Sequence, residues 1–339
     1  MIPFTYTSLV NQRKRNDKLY SYVENFNNTN QKNTLDTKEK IDAVIKNIKQ
    51  NNYTIENVYQ QEYNEGTASG LGDFIRGSYF LIHFCKKNEI SYNINLLNHP
   101  ICQLLDIYKN KQEQKNINDI NKFENFNYNP VILKNNIISN INDDTIYKDF
   151  VFYLSKQKKK NSIIYVYIIS YPIINIDNDD KEIMKQIFKP TNEISFLVDK
   201  KLSNLMLTKN TYIVIHIRFG DDYLVNKKEN IHLTKVNKIL YELDKIDKSS
   251  DYLLISDNML IKKYIINKYP FVKTHFNEIT HTADTYNMDA YKLQNTMVDF
   301  CLISYSVKVI AFSVYKHGTG FSKWCAETYD IPYSCQFIE

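Results

Sequence analysis

Apolar and polar positions along Thr211 to Leu224, TYIVIHIRFGDDYL, follow the pattern of one β-strand running into a charged turn. Tyr212, Val214, His216 and Arg218 share one face, and Ile213, Ile215 and Ile217 share the other. Both faces begin apolar, as in a strand buried within a parallel sheet. Polarity arrives at the carboxyl end as His216, Arg218, Gly220, Asp221 and Asp222, the edge where open α/β sheets bind ligands. Two readings fit: an anion site, most simply for phosphate, or a structural ion pair of Arg218 with Asp221 or Asp222.

Downstream the pattern is regular α/β. A helix is expected around Thr234 to Lys245, a strand at Tyr252 to Ser256 ending in Asp257, a helix at Leu260 to Lys268 and a short strand at Phe271 to His275. Tyr291 to Ser304 is amphipathic through Leu293, Met297, Phe300 and Cys301, with Asp299 on its flank. A strand follows at Lys308 to Phe312, ending at Ser313. Lys316 to Ser322 (KHGTGFS) is then a glycine turn opening a last helix to about Tyr329.

Upstream, residues 1 to 35 read as a loosely ordered lead-in. Asp36 and Glu39 make a capping pair for a helix striped by Ile41, Val44, Ile45 and Ile48. Asn57 to Glu62 is a short strand candidate. The segment Glu65 to Gly77 (EGTASGLGDFIRG) is a glycine turn that opens a helix to about Lys87, burying Phe74, Leu81, Ile82 and Cys85. Ile90 to Leu97 alternates as a strand, Ile101 to Tyr108 is helical, and Ser162 to Ile169 is a buried strand. Lys109 to Asp149 is Asn/Lys-rich and reads as an insertion. Pro190 to Leu205 is a capped helix, with Ile194, Leu197, Val198, Leu202 and Leu205 on one face, that closes a first domain at residue 205.

At 339 residues the chain has room for two domains, 1–205 and 206–339, and 43% hydrophobic content marks a globular protein. The net charge of +5 is spread without a basic stripe, so no nucleic-acid partner is expected. The five cysteines show no CxxC spacing, which argues against a zinc site or a disulfide framework. No signal peptide or membrane span is read, and the default is a cytoplasmic protein.

Gly and Arg are scarce in a chain dominated by Asn, Lys, Ile and Tyr, a bias expected of an AT-rich genome. The 7 glycines fall in three places: 66 to 77, Gly220, and Gly318 with Gly320. Beyond Arg13 and Arg15 the arginines are Arg76 and Arg218, each beside glycine. Gly permits close backbone approach, and Arg supplies a planar fork that Lys cannot mimic. A glycine turn at a helix start exposes amides to anions, and Thr319 and Ser322 would suit a diphosphate there; an ordinary turn with an N-cap is the alternative. Gly66-x-x-x-Gly70-x-Gly72 also matches the short-chain dehydrogenase fingerprint, with Tyr223-x-x-x-Lys227 as a mimic of its catalytic pair. No apolar strand is read before Gly66, where that fold requires one. Asp177-Asn178-Asp179 is either a metal-binding DxD or the acidic start of a helix from Lys181 to Phe188.

His216-Ile-Arg218-Phe-Gly220-Asp-Asp222 resembles the HxR motif of the fucosyltransferase superfamily, nearest to the protein O-fucosyltransferase variant. Gly70-Leu-Gly-Asp-Phe-Ile-Arg-Gly77 is similar to the opening motif of the α1,6- and nodulation-type enzymes, and Asp299 through Ser322 to their third motif. The three occur in the family's order and cover about a fifth of the chain. The resemblance implies a GT-B fold, two Rossmann-like domains facing across a cleft. It also implies a GDP-sugar co-substrate, inversion at the anomeric carbon, no obligate metal and no further cofactor.

Carried over by position, Arg218 would contact the diphosphate, and His216 and Asp299 the guanine. Thr319, Gly320, Phe321 and Ser322 would cradle the phosphates. Gly70, Gly72, Arg76, Gly220, Asp222, Ser256, Asp257 and His317 complete the expected donor-binding set. Several relatives have a second arginine where this chain has Phe219. A glycan or protein hydroxyl is the expected acceptor, with Asp73 and Glu65 as candidate general bases and Asp222 third; Asp73 could instead cap its helix. A metal-dependent transferase using Asp177 and Asp179, and a nucleotide-sugar-binding protein without turnover, are the rival readings.

Overall fold

The computed structural model describes residues 38–59, 62–63, 66–67, 70–108, 143–156, 162–168, 176–220, 233–282, 289–316 and 318–338. The lead-in, most of the 109–149 stretch, Glu65, Asp221, Asp222, Tyr223, Lys227 and His317 lie outside the described residues. The described residues divide into two compact units.

The smaller unit pairs helix α1 (Lys38–Gln50) with helix α3 (Asp143–Lys156). Ile41 and Ile48 of the expected stripe are buried in α1. Helix α3 corrects the sequence reading, since it begins inside the stretch taken as irregular. Its apolar residues Phe150, Val151 and Leu154 are fully buried, but the flanking Asn/Lys composition masks so short a stripe.

The larger unit contains two parallel sheets, as the α/β class requires. The first is ordered β4-β1-β5, from β1 (Thr54–Val58), β4 (Ser91–Asn95) and β5 (Ile163–Val166). Strand β1 starts three residues before the expected strand, because TIENV is too polar to read as buried. Its Asn57 is nevertheless satisfied: Nδ2 donates to Ser78 Oγ at 3.1 Å, and Oδ1 accepts from Ile168 N at 2.8 Å. A parallel strand does therefore precede the first glycine cluster. A hairpin of β2 (Glu62–Tyr63) and β3 (Gly66–Thr67) intervenes before helix α2 (Leu71–Asn88), so no tight strand–glycine–helix turn forms. Ile101 to Tyr108 forms two 3₁₀ turns rather than one helix.

Helix α4 (Asn178–Ile187) and helix α5 (Asn192–Asn204) lead to the second sheet, ordered β10-β9-β6-β7-β8. In chain order this is β6 (Ile213–Arg218), helix α6 (Leu233–Leu243), β7 (Tyr252–Ser256), helix α7 (Met259–Lys268) and β8 (Val272–Thr274). Helix α8 (Ala290–Ser304), β9 (Lys308–Ser313), helix α9 (Gly320–Thr328) and β10 (Tyr333–Phe337) complete it. Strand β10, with an exposed centre, was not legible as a strand. Helix α5, expected to close the first domain, packs on α8 beside the second sheet. Helix α2 lies along α9, with Tyr79 Oη hydrogen-bonded to Thr328 Oγ1 at 2.8 Å. Among the described residues no helix is long and apolar enough to cross a membrane.

Candidate functional site

Strand β6 is the centre of the five-stranded sheet, flanked by β9 and β7. At its carboxyl end Arg218 Nη1 donates to Asp257 Oδ2 at 2.8 Å, across from the end of β7. Asp257 also accepts from the amides of Phe219 and Gly220, each at 3.0 Å. Burial pushes the Asp257 carboxyl up, and Arg218 with these two amides pulls the other way. The carboxylate is thus engaged by protein donors and anchors Arg218. Arg218 is ion-paired with Asp257, whereas the expected partners Asp221 and Asp222 lie outside the described residues. A guanidinium carries its five N–H donors in one plane, the geometry that suits a phosphate.

Phe219 is buried with Ile215, Ile217, Val236 and Ile239 in the core on the opposite side of the strand. A different residue there changes the core before it changes the ligand edge. Gly220 has φ +98°, and a Cβ at that position would stand 2.7 Å from the Tyr315 hydroxyl, so glycine is required.

The two distant glycine clusters meet. A Cβ on Gly72, in the first turn of α2, would lie 2.2 Å from the carbonyl carbon of Gly320, in the first turn of α9. The amino ends of both helices therefore converge. Asp73 stands at this junction, with Oδ2 3.9 Å from the position a Gly70 Cβ would take and Oδ1 3.8 Å from that of Gly320. Arg76, one turn on, is half-buried; burial lowers its pKa and the Asp73 charge opposes the change.

Thr319 and Ser322, expected to cradle phosphate, turn toward β6. His216 Nδ1 is 2.7 Å from Ser322 Oγ and 3.3 Å from Thr319 Oγ1, and the two hydroxyls hydrogen-bond each other. The His216 ring also lies 6.2 Å from that of Phe321. Burial, and then the neighbouring Arg218, push His216 down to about 3, so the imidazole stays neutral. His216 thus packs against the α9 turn. Ser256 Oγ accepts from Asn258 N at 3.2 Å and shapes the start of α7.

Asp299 is 1% exposed, and its Oδ1 lies 2.7 Å from Nε2 of His275. Although burial pushes this carboxyl up, His275, Lys262 and Lys201 more than offset it and hold it below the usual range. Lys262, fully buried in α7, donates to the His275 carbonyl at 3.1 Å. Neither residue was singled out in the sequence. For Lys262 a signal existed: Ile261, Lys262 and Ile265 place a lysine inside the buried stripe of α7. His275 offered none. Beyond it, Thr282 Oγ1 accepts from Leu71 N at 2.9 Å and so caps α2, while the Thr282 carbonyl accepts from His99 Nε2 at 2.9 Å. The segment after β8 thereby ties the second sheet to the junction that holds Asp73.

Asp177 is the N-cap of α4: its Oδ1 accepts from Asp180 N at 2.7 Å and pairs with Lys86 at 3.4 Å. The acidic-helix-start reading of Asp177-Asn178-Asp179 accounts for it. Among the described residues no group of three or more His, Cys, Asp or Glu could hold a metal ion.

No family model and no curated protein matches the chain. Solved structures of similar shape include fucosyltransferase NodZ from Bradyrhizobium, 12% identical over 80% of this chain and 91% of that one, with a TM-score of 0.47. NodZ alpha-1,6-fucosyltransferase soaked with GDP-fucose is 11% identical, covering 80% of this chain and 91% of its own, at 0.46. POFUT1 in complex with GDP is 11% identical, covering 85% and 98%, at 0.41. Likenesses of this size decide neither the reaction nor its residues.

Proposed function

We propose that the chain is an inverting, metal-independent glycosyltransferase moving a sugar, fucose first, from a GDP-sugar to a hydroxyl acceptor. The observation that carries this is the meeting of three separate motifs at one sheet edge. Arg218 anchored by Asp257, the Thr319–Ser322 turn against His216, and the Gly70–Gly77 turn against Gly320 lie together. The same three motifs resemble the fucosyltransferase superfamily, which supplies the donor's name and the two-domain GT-B reading with a boundary near residue 205.

Each residue then has a chemical task. As the acceptor oxygen bonds the anomeric carbon, the bond to the diphosphate oxygen breaks and its electron pair leaves with GDP. Arg218 and the amides at the start of α9 meet that growing charge, and because Asp257 holds the guanidinium in place the stabilisation needs little reorganisation. The acceptor proton passes to the Asp73 carboxylate at the helix junction, or to Glu65. The amino-terminal half would hold the acceptor. Five cysteines without a disulfide suit a reducing, cytoplasmic setting.

Calorimetric titration with GDP, UDP and ADP, followed by donor hydrolysis with and without EDTA, tests the reading. GDP binding with turnover that survives EDTA is expected. Preference for UDP with EDTA-sensitive turnover would replace it with a metal-dependent transferase, and GDP binding without turnover with a nucleotide-sugar-binding protein.

A further inference from the structure

After β8 the chain has no regular secondary structure from His275 to His281, yet this strap is held along its length. Lys262 Nζ donates to the His275 carbonyl at 3.1 Å, and Asn295 Nδ2 to that of Glu278 at 2.9 Å. Thr280 N donates to Thr296 Oγ1, whose hydroxyl returns to the Thr280 carbonyl, both at 3.0 Å. Thr282 is fixed through its hydroxyl to Leu71 N and through its carbonyl to His99, each at 2.9 Å. Thr280 and Thr282 are buried, and His281 between them is only half-buried. A main chain pinned on both sides of one residue fixes where that side chain stands, so it loses little freedom when it acts.

The side chain stands beside Asp73. Among the described residues, a Cβ on Gly70 would find His281 Nε2 and Cε1 at 3.7 Å and Asp73 Oδ2 at 3.9 Å as its nearest atoms. Imidazole edge and carboxylate thus turn toward one point. Gly70 has φ −63°, which any residue adopts, and those distances are ordinary contacts, so neither backbone nor described packing calls for glycine there. What glycine does is leave the two side chains open to each other and to an arriving hydroxyl. The other titratable groups linked to this corner are Arg76 of α2, Tyr59 after β1, and His99 behind Thr282. A free carboxylate binds a proton with a pKa of about 4 and a free imidazole with one of about 6.5. At neutral pH the imidazole is therefore the better resting place for a proton, and a facing carboxylate strengthens its hold.

We propose that His281 is the positioning residue of the Asp73 base and the place where the acceptor's proton comes to rest. The inference rests on the glycosyltransferase reading above. As the acceptor oxygen bonds the anomeric carbon and the bond to the diphosphate breaks, the hydroxyl proton passes to Asp73, and from that carboxyl to His281 Nε2. Asp73, again a carboxylate, then faces the imidazolium, and the half-buried ring releases the proton to water.

Two measurements on the full chain test this. In proton NMR the His281 Cε1–H signal, assigned by its loss in His281→Gln, is followed across pH in wild type and in Asp73→Asn. Its midpoint is expected to fall by about half a pH unit or more without the carboxylate, and an unmoved midpoint overturns the inference whatever the activity. In GDP-fucose hydrolysis, where water is the acceptor, His281→Ala is expected to lower kcat about tenfold or more with GDP affinity unchanged by calorimetry. Added imidazole is expected to restore part of that rate in His281→Ala and none in Asp73→Asn. If the Ala variant fails to fold, His281→Gln carries the comparison, with the same loss of kcat. An unchanged kcat, or a loss matched by weaker GDP binding and not rescued by imidazole, overturns the inference and leaves His281 a structural residue. A wild type that hydrolyses no donor overturns the transferase reading, while the NMR midpoint still decides whether the pair exists, so the two failures are told apart.

Discussion

Gly72 and Gly320 touch backbone to backbone. A Cβ on Gly72 would stand 2.2 Å from the Gly320 carbonyl carbon and 2.7 Å from Phe321 N, atoms that cannot rotate away. A Cβ on Gly320 meets nothing nearer than 3.8 Å. The two glycines are therefore unequal. Gly72→Ala must push α2 off α9 and is expected to cost about 2 kcal/mol or more, as overpacking does. Gly320→Ala should stay within about 1 kcal/mol of wild type. Urea melts of the two variants check this, and equal midpoints would mean the helices do not meet as described.

Arg218 and Asp257 form the second asymmetric pair. Arg218→Ala is expected to lower kcat roughly a hundredfold or more, the scale of losing one preorganised charge partner of the leaving group. Arg218→Lys should not restore it, because an ammonium cannot hold Asp257 and a phosphate in one plane. Asp257→Asn leaves the guanidinium in place but loosely held, so a smaller fall in kcat is expected with folding retained. Near-normal turnover in Arg218→Ala would remove Arg218 from the mechanism.

Much of this was legible in the chain. Strand β6 announced itself because both of its faces are apolar until the last residues, and the scarcity of Gly and Arg singled out Gly72, Gly320 and Arg218. That Gly72 meets Gly320 was not legible, because a helix-to-helix backbone contact depends on a partner far along the chain. Phe219 shows the opposite failure. Strand alternation places it on the Ile215 and Ile217 face, away from Arg218, and the motif resemblance drew attention to a side chain that the strand buries in the core. That Asp257 accepts from Arg218 and two amides was not legible, because nothing local in the sequence reveals those partners. His275 carried no pattern at all, since its meaning comes wholly from Asp299.

Asp177 separates the metal-dependent alternative by substitution. As an N-cap, Asp177→Ser should keep the cap bond, with stability within about 0.5 kcal/mol, while Asp177→Ala costs about 1 kcal/mol. Neither should change kcat. A large fall in turnover in the Ser variant, rescued by excess divalent cation, would restore the DxD reading.

Asp73 is expected to act as a base rather than a cap, since the α2 amide at Leu71 is already served by Thr282. Asp73→Asn should lower kcat by about a hundredfold. Glu65→Gln, compared in parallel, decides between the two carboxylates. Unchanged turnover in both variants would exclude both.

His216 and His99 give the protein a defined acid sensitivity. Burial, aided by Arg218, holds His216 near 3, and burial holds His99 near 4, against 6.5 for a free histidine. Between those values the unfolded chain binds protons that the folded chain refuses, so stability rises with pH through this window. The contribution of each is complete above about pH 6.5 and is lost as pH falls toward 4, by roughly 1.4 kcal/mol per pH unit per histidine. Urea midpoints from pH 7.5 to 5 should therefore slope downward toward acid. His99→Gln should remove about half of that slope and His216→Asn the other half. A slope that survives both substitutions would mean that neither imidazole is held neutral in the fold.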